Sequence, residues 1–398
     1  MSISHLTGVT APDAAETDGG ASAPPFILLS DGAVLVGRGV SDPLVLPAKA
    51  SIADALDGVF ASDGAPLVVG ALPFDRNGPP LLYRPRSVDR VEPALRGRTT
   101  RVAPAGAWQV TSLPSRALHK QNVERALALL SDPGPAGLRK VVLARSLVCR
   151  APGSIDADAV LRQLRQDGSV TTFAVPLPAG DDGRARRLVG ATPELLVARR
   201  GAAVRSRPLA GSARRGSDAA ADRDIAARLG DSFKDRREHA AVVEAILDTL
   251  APYCRELKAL ERDVVATATM LHLRTGIEGV LRDETISVME LVEALHPTPA
   301  VCGLPKDRAR AVIANLEPFD RGYYGGAVGW CDAAGDSDWF VTIRCAEISG
   351  SVARLYAGGG LVPGSEPEAE LAETSAKFET LLRALGIDET GAPSGDTP

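Results

Sequence analysis

No apolar stretch in the 398 residues approaches the roughly 18 to 20 consecutive positions that a helix needs to cross a bilayer. The N-terminus also lacks a charged segment followed by an apolar one, so no export leader is legible and a cytoplasmic location follows by elimination. Basic clusters are missing as well. The 45 Lys and Arg are set against 50 Asp and Glu, a net charge of −5, and aromatics make up only 4%. The arginines are dispersed rather than interleaved with those aromatics, so neither a nucleic acid nor a membrane is an expected partner. Cysteine is sparse: Cys149, Cys254, Cys302, Cys331 and Cys345 are odd in number, with no C-x-x-C pair and no histidines at metal spacing. They read as reduced thiols in or near a core. No internal repeat is visible, and no G-x-G-x-x-G or Walker pattern sits between a strand and a helix. Gly325-Gly326 and Gly358-Gly359-Gly360 lead into strand-like residues, which argues against a dinucleotide loop.

What remains is ample material for a core: 45% of the residues are hydrophobic. Length alone allows one large domain or two or three smaller ones. Residues 1–25 and 389–398 are rich in small and polar residues without periodicity and are expected to be disordered tails, leaving a fold over 26–388. Short β-type runs are expected at Phe26 to Leu29, Ala33 to Val36, Pro66 to Leu72, Lys140 to Cys149, Val170 to Val175, Leu188 to Thr192, Leu195 to Ala198, Ala203 to Ser206, Val328 to Trp330, Trp339 to Ile348 and Val352 to Ala357. Helical patterns are separate from them: Ser115 to Leu130, Ile155 to Arg165, Ala219 to Leu229, Lys234 to Leu250, Val288 to Ala294, Lys306 to Leu316 and Glu368 to Leu385. Adjoining strands and grouped helices predict an α+β fold with antiparallel sheets.

Several polar residues sit where chemistry could use them. If residues 367–382 are helical, Glu370, Glu373 and Lys377 stack on one face beside the Gly358-Gly359-Gly360 turn, which suits a hard cation holding an anionic substrate; the bland reading is a solvated face with one i,i+4 ion pair. Lys140 opens the apolar run Val141-Val142-Leu143-Ala144. It is either a lysine snorkelling from a strand end or an amine whose pKa falls by desolvation until it acts as a base. Glu194, between two strand-like segments, is either a turn-capping acid or a buried carboxyl able to donate a proton. Glu238 lies one turn before Val242 on the edge of a buried stripe, where it reaches a metal or merely complements the helix dipole. His272 and His296 are each more often satisfied core or capping histidines than catalytic ones. Arg344 lies midway along an apolar run and requires an anionic partner.

Eight motifs in order then resemble the chorismate-utilising enzymes, and within them the isochorismate synthases: Lys140 to Arg145, Gly190 to Glu194, Pro208 to Gly216, Lys234 to His239, Leu295 to Gly303, Phe319 to Arg321, Gly325 to Asp332, and Tyr356 to Lys377. The resemblance implies a single large α+β domain with two antiparallel sheets packed face to face, helices outside, a Mg2+-dependent site, chorismate as substrate and a monomer. It implies Lys140 as the base that activates water for attack at ring C2, and Glu194 as the acid that protonates the departing C4 hydroxyl. Glu238 and Glu373, with Glu370 close by, resemble the metal carboxylates. Arg344 and Lys377 resemble carboxylate contacts, Gly358 and Gly360 backbone donors, and Gly211, Ser212 and His272 the pocket lining. Relatives that add ammonia usually carry glutamine at Lys140, and one branch forms a covalent adduct through a lysine where Ala210 stands, so water is the implied nucleophile. A salicylate synthase, which goes on to eliminate pyruvate, and a non-catalytic chorismate-binding protein are the alternatives. Arg274 and Gly276 depart from the small or proline residues often found there.

Overall fold

Strict alternation along the strands sorts side chains into layers. Phe26 and Leu28 face one way and Ile27 and Leu29 the other; the first pair joins a cluster with Leu67, Val69, Phe173, Leu195, Val328 and Phe340, the second a cluster with Val160, Leu161, Phe378 and Leu381. That period of two is what a strand buried on both faces produces. The computed structural model describes residues 24–30, 33–39, 43–44, 46, 51–63, 67–90, 102–131, 137–180 and 182–394.

Two sheets result, with every pairing among the described residues antiparallel. The ten-stranded sheet runs Gly303–Leu304, Lys140–Arg150, Val352–Leu361, Cys345–Ser349, Arg186–Thr192, Thr171–Leu177, Phe26–Ser30, Ala33–Arg38 and Ser87–Asp89, with Gln109–Leu113 also paired to Lys140–Arg150. The nine-stranded sheet runs Leu209–Arg214, Met270–Leu281, Ala203–Arg207, Leu195–Arg200, Ser337–Val341, Ala327–Asp332, Leu67–Leu72 and Leu81–Tyr83, with Cys254–Ala266 on the far side of Met270–Leu281. A shared apolar layer lies between them. Helices Ala157–Leu164 and Pro367–Leu385 cover the outside of the first sheet, and Ile52–Asp63, Phe233–Leu250 and Val288–Leu295 the outside of the second. The expected α+β architecture of two face-to-face antiparallel sheets is the one observed.

The differences have local causes. The apolar run Trp339 to Ile348 is not one strand: it ends in the nine-stranded sheet at Val341 and resumes in the ten-stranded sheet at Cys345. Arg344, with φ 49°, is the one non-glycine residue at positive φ among the described residues, and it turns the chain from one sheet to the other. The hairpin Cys254–Ala266 with Met270–Leu281 was not expected, because its first strand is largely exposed and two register shifts break its alternation. Helix Ile52–Asp63 was missed because Gly58-Val59-Phe60 reads poorly as helix; packing of Ala53 and Leu56 against Met289 and Val292 overrides that propensity. The C-terminal tail expected from residue 389 is instead structured as far as Ser394. Ile387 pairs with Pro393, and Glu389 accepts from Arg116 at 2.6 Å and from Arg145 at 3.2 Å. Residues 1–23 and 395–398 of the expected tails, and Pro66 at the start of its expected strand, lie outside the described residues.

Candidate active site

Two of the sheet-to-sheet crossings open onto one cleft. At the first, Thr192 ends a strand of the ten-stranded sheet and Leu195 begins one of the nine-stranded sheet, which leaves Pro193 and Glu194 between the sheets. The hydroxyl of Thr192 donates to the Val341 carbonyl at 2.7 Å, and the Val341 N–H donates to the Glu194 carbonyl at 3.0 Å, so this turn is fixed to the neighbouring strand. Glu194 is 2% exposed. Burial pushes its carboxyl up to about 8, against the pull of Lys140, a backbone hydrogen bond at Leu209, Arg344 and Lys377. A neutral carboxyl near pH 7 is a proton donor.

The second crossing carries Arg344. Its guanidinium is buried and lowered from its ordinary value by desolvation, with Tyr324, Glu373 and Glu194 opposing that effect. No carboxylate pairs with it among the described residues; the nearest polar contact is Nη2 to His272 Nε2 at 3.4 Å. Burial, then the charges of Arg344 and Lys377, hold His272 well below the usual histidine range, so it faces Arg344 as a neutral ring. A buried cation on a strained backbone, costing about 1–3 kcal/mol, is a site prepared for an external anion.

Lys140 begins the strand Lys140–Arg150, paired with Leu304 on one side, while Val141 pairs with Leu361 on the other. Its amine is 3.0 Å from Glu238 Oε1, in an off-axis arrangement that makes an ion pair but no hydrogen bond. Arg321 anchors this strand to the cleft loop by donating to the carbonyls of Val142 and Val301 at 2.8 and 2.7 Å; its partner Glu317 accepts from the Ala144 N–H at 2.7 Å. Gly358-Gly359-Gly360, expected as a turn, instead continues the strand Val352–Leu361 in register with Val142 to Ala144, and close approach there needs the absence of side chains. A Cβ on Gly360 would stand 2.0 Å from Glu238 Oε1, and one on Gly359 would stand 2.7 Å from Glu370 Oε2.

Helix Pro367–Leu385 presents the other carboxylates. Glu373 Oε1 takes hydrogen bonds from Ser212 at 2.7 Å and from Lys377 at 2.6 Å, and Lys377 also donates to the Gly358 carbonyl at 2.8 Å. Burial raises Glu373, but Lys377, Lys234 and Ser212 outweigh it and hold the group below the ordinary carboxylate range. Glu370 is raised by burial and by the charge of Glu373, although Lys234 lies 2.6 Å from its Oε1. The three glutamates are therefore each matched to a lysine: Glu238 to Lys140, Glu370 to Lys234, and Glu373 to Lys377. No group of three acidic, histidine or cysteine ligands is gathered at metal spacing among the described residues. The donor set nonetheless suits a hard divalent cation. It offers carboxylate oxygens from two facing helices, and Glu370 Oε2 is buried with no hydrogen-bond partner.

Ten of the twelve residues singled out from the sequence line this cleft: Glu194, Gly211, Ser212, Glu238, His272, Arg344, Gly358, Gly360, Glu373 and Lys377. Lys140 and Glu370 stand behind its wall, each within reach of a lining group: Glu238 for Lys140, and Gly359 beside the lining glycines for Glu370. His296 is elsewhere, bonded to the Pro73 carbonyl at 2.8 Å. Arg274 pairs with Asp263 outside the cleft. Sequence reading missed Tyr324, Ile343 and Val301, which also line it. An aromatic pair directly before Gly325-Gly326 was the available signal for Tyr324. Lys234 was noticed only as a helix start, although its i,i+4 spacing from Glu238 marked it.

Fold and cleft define an enzyme that handles a small anion between two antiparallel sheets. The chain belongs to the family described as chorismate binding enzyme, whose pattern matches residues 93–386. It is 44% identical over 378 residues to isochorismate synthase DhbC of Bacillus subtilis, covering 91% of this chain and 94% of that protein. The crystal structure of DhbC from Bacillus anthracis superposes with a TM-score of 0.84 at 39% identity, covering 93% of this chain and 98% of that one. MenF, the menaquinone-specific isochorismate synthase of Escherichia coli, gives 0.75 at 27% identity, covering 92% and 89%.

Proposed function

We propose that the chain is an isochorismate synthase that converts chorismate to isochorismate by adding water at ring C2 with loss of the C4 hydroxyl. The observation that carries this reading is the buried Glu194 carboxyl, which lines the cleft together with Glu238, while Lys140 pairs with Glu238 from directly behind the cleft wall. Lys140 Nζ takes a proton from water as its oxygen bonds to C2. The two ring double bonds each move one position, and the C4–O bond breaks as the Glu194 carboxyl gives its proton to the departing hydroxyl. One water enters and one leaves, so product and substrate are isomers.

Arg344 and Lys377 receive the carboxylates of the substrate. Gly358 and Gly360 let the ring approach the backbone, and Gly211, Ser212 and His272 close the pocket around it. Glu238 and Glu373, with Glu370 beside them, would hold Mg2+, which supplies positive charge toward the ring carboxylate. Its preference for oxygen ligands with retained waters matches the residues present. Ala210 bears no amine for a covalent adduct, which supports water as the nucleophile.

Incubating the purified protein with chorismate and Mg2+ and separating the products by chromatography with mass detection tests the assignment. Isochorismate without pyruvate is expected. Salicylate with one equivalent of pyruvate would move the assignment to the lyase, and saturable binding without turnover would reduce the chain to a binding protein.

A further inference from the structure

The three lysines of the carboxylate cluster are not equivalent. The Lys140 side chain is 1% exposed, and that of Lys377 is 13% exposed and tied to the Gly358 carbonyl. Lys234 is different: its side chain is 29% exposed, it stands in the first turn of helix Phe233–Leu250, and its ammonium rests 2.6 Å from Glu370 Oε1. Lys234 stands one helical turn before Glu238, and its partner Glu370 stands one turn before Glu373, so one ammonium lies beside all three glutamates proposed above to hold the metal.

From this arrangement we propose that Lys234 is a tethered counter-cation, placed to neutralise the glutamates while no metal is bound and to swing toward solvent when a divalent ion enters. The proposal rests on the reading of Glu238, Glu370 and Glu373 as metal carboxylates. With each glutamate balanced by its lysine, Lys140 included until it gives up the proton that frees it to act as base, the cluster sums to zero, so a divalent ion added with all three lysines in place leaves it at +2. Withdrawal of one ammonium halves that excess, and Lys234 is the lysine with a route out. The inner oxygen of Glu370, buried and without a partner, is already turned away from Lys234 and stays available to the incoming ion. A lysine here thus prevents buried like-charge repulsion in the empty site at the expense of metal affinity. The side chain positions and neutralises the glutamates and takes no part in the bond-making steps.

Binding of Mn2+ to the substrate-free enzyme, followed by electron paramagnetic resonance with Mg2+ as competitor, tests this without measuring turnover. Lys234→Gln is expected to bind Mn2+ about tenfold more tightly or better, because the ion no longer has to displace an ammonium paired with Glu370. Lys234→Arg, which keeps the charge, is expected to stay near wild type. In thermal unfolding the Gln variant should melt lower than wild type without metal and gain more from added Mn2+, a crossover that general damage to the fold would not produce. Equal or weaker Mn2+ affinity in a natively folded Lys234→Gln overturns the proposal while leaving the metal site standing. Absence of Mn2+ binding in every form, wild type included, overturns the metal reading and the proposal with it.

Discussion

Replacing Glu194 by glutamine separates its role in chemistry from its cost to the fold. In the folded chain the carboxyl titrates at about 8, whereas its ordinary value is 4.5. A raised carboxyl binds its proton more tightly in the fold than in the unfolded chain. Its contribution is therefore complete below pH 4.5 and is lost as pH rises through 8. At about 1.4 kcal/mol per pH unit, wild type sheds about 4 kcal/mol from this residue between about pH 5 and pH 9. Glutamine cannot ionise and sheds none of it. With an unfolding entropy near 2 cal/mol/K per residue over roughly 370 residues, that difference is worth about 5 °C. Melting curves of wild type and Glu194→Gln across this range should therefore diverge by about 5 °C, the variant gaining on wild type as pH rises. The same variant should lose about 10²–10⁴-fold in kcat/KM, and wild-type kcat/KM should fall above about pH 8 as the donor ionises. A melting difference that stays constant with pH would mean that Glu194 is ionised in the fold, and its role as proton donor would be refuted.

Lys140→Ala should abolish turnover while chorismate still binds in a calorimetric titration, since the nucleophile is no longer activated; wild-type turnover in that variant would exclude the base role. Arg344→Lys keeps the charge but loses the planar fork and should raise KM by about tenfold or more with a smaller effect on kcat; an unchanged KM would show that no carboxylate binds there. Gly360→Ala places a methyl 2.0 Å from Glu238 Oε1 and should destabilise by about 1–3 kcal/mol while displacing that carboxylate. Circular dichroism melts and Mn2+ titration would check both effects, and wild-type values for each would contradict the packing described.

Much of this arrangement was legible beforehand because the relevant signals are local. Lys306–Leu316 begins and ends where its periodicity says, and Glu370, Glu373 and Lys377 share a helix face because their spacing is helical. What escaped depends on contacts distant in sequence. Alternation continues through Thr342-Ile343-Arg344, so nothing along the chain announces that the partner strands change there; that is decided by bonds such as Thr342 N–H to the Gly326 carbonyl at 3.0 Å and Ala191 N–H to the Arg344 carbonyl at 3.0 Å. Cys254–Ala266 hides for the opposite reason. An edge strand facing water carries charges in runs, and only its long partner Met270–Leu281 makes it a strand. Of the three glutamate–lysine pairs, Glu373 with Lys377 was announced by its i,i+4 spacing, whereas Glu238 with Lys140 and Glu370 with Lys234 were invisible because they join residues far apart in sequence.

The acid and the unpaired arginine hang from two of the places where the backbone leaves one sheet for the other, and the apolar filling between the sheets sets how far apart those places stand. Phe173, Trp330 and Phe340, none of them among the residues that line the cleft, therefore work as spacers. Trimming one would let the sheets settle toward each other and shift donor and guanidinium together, so the volume of this filling and the reach of the reactive groups have to be matched.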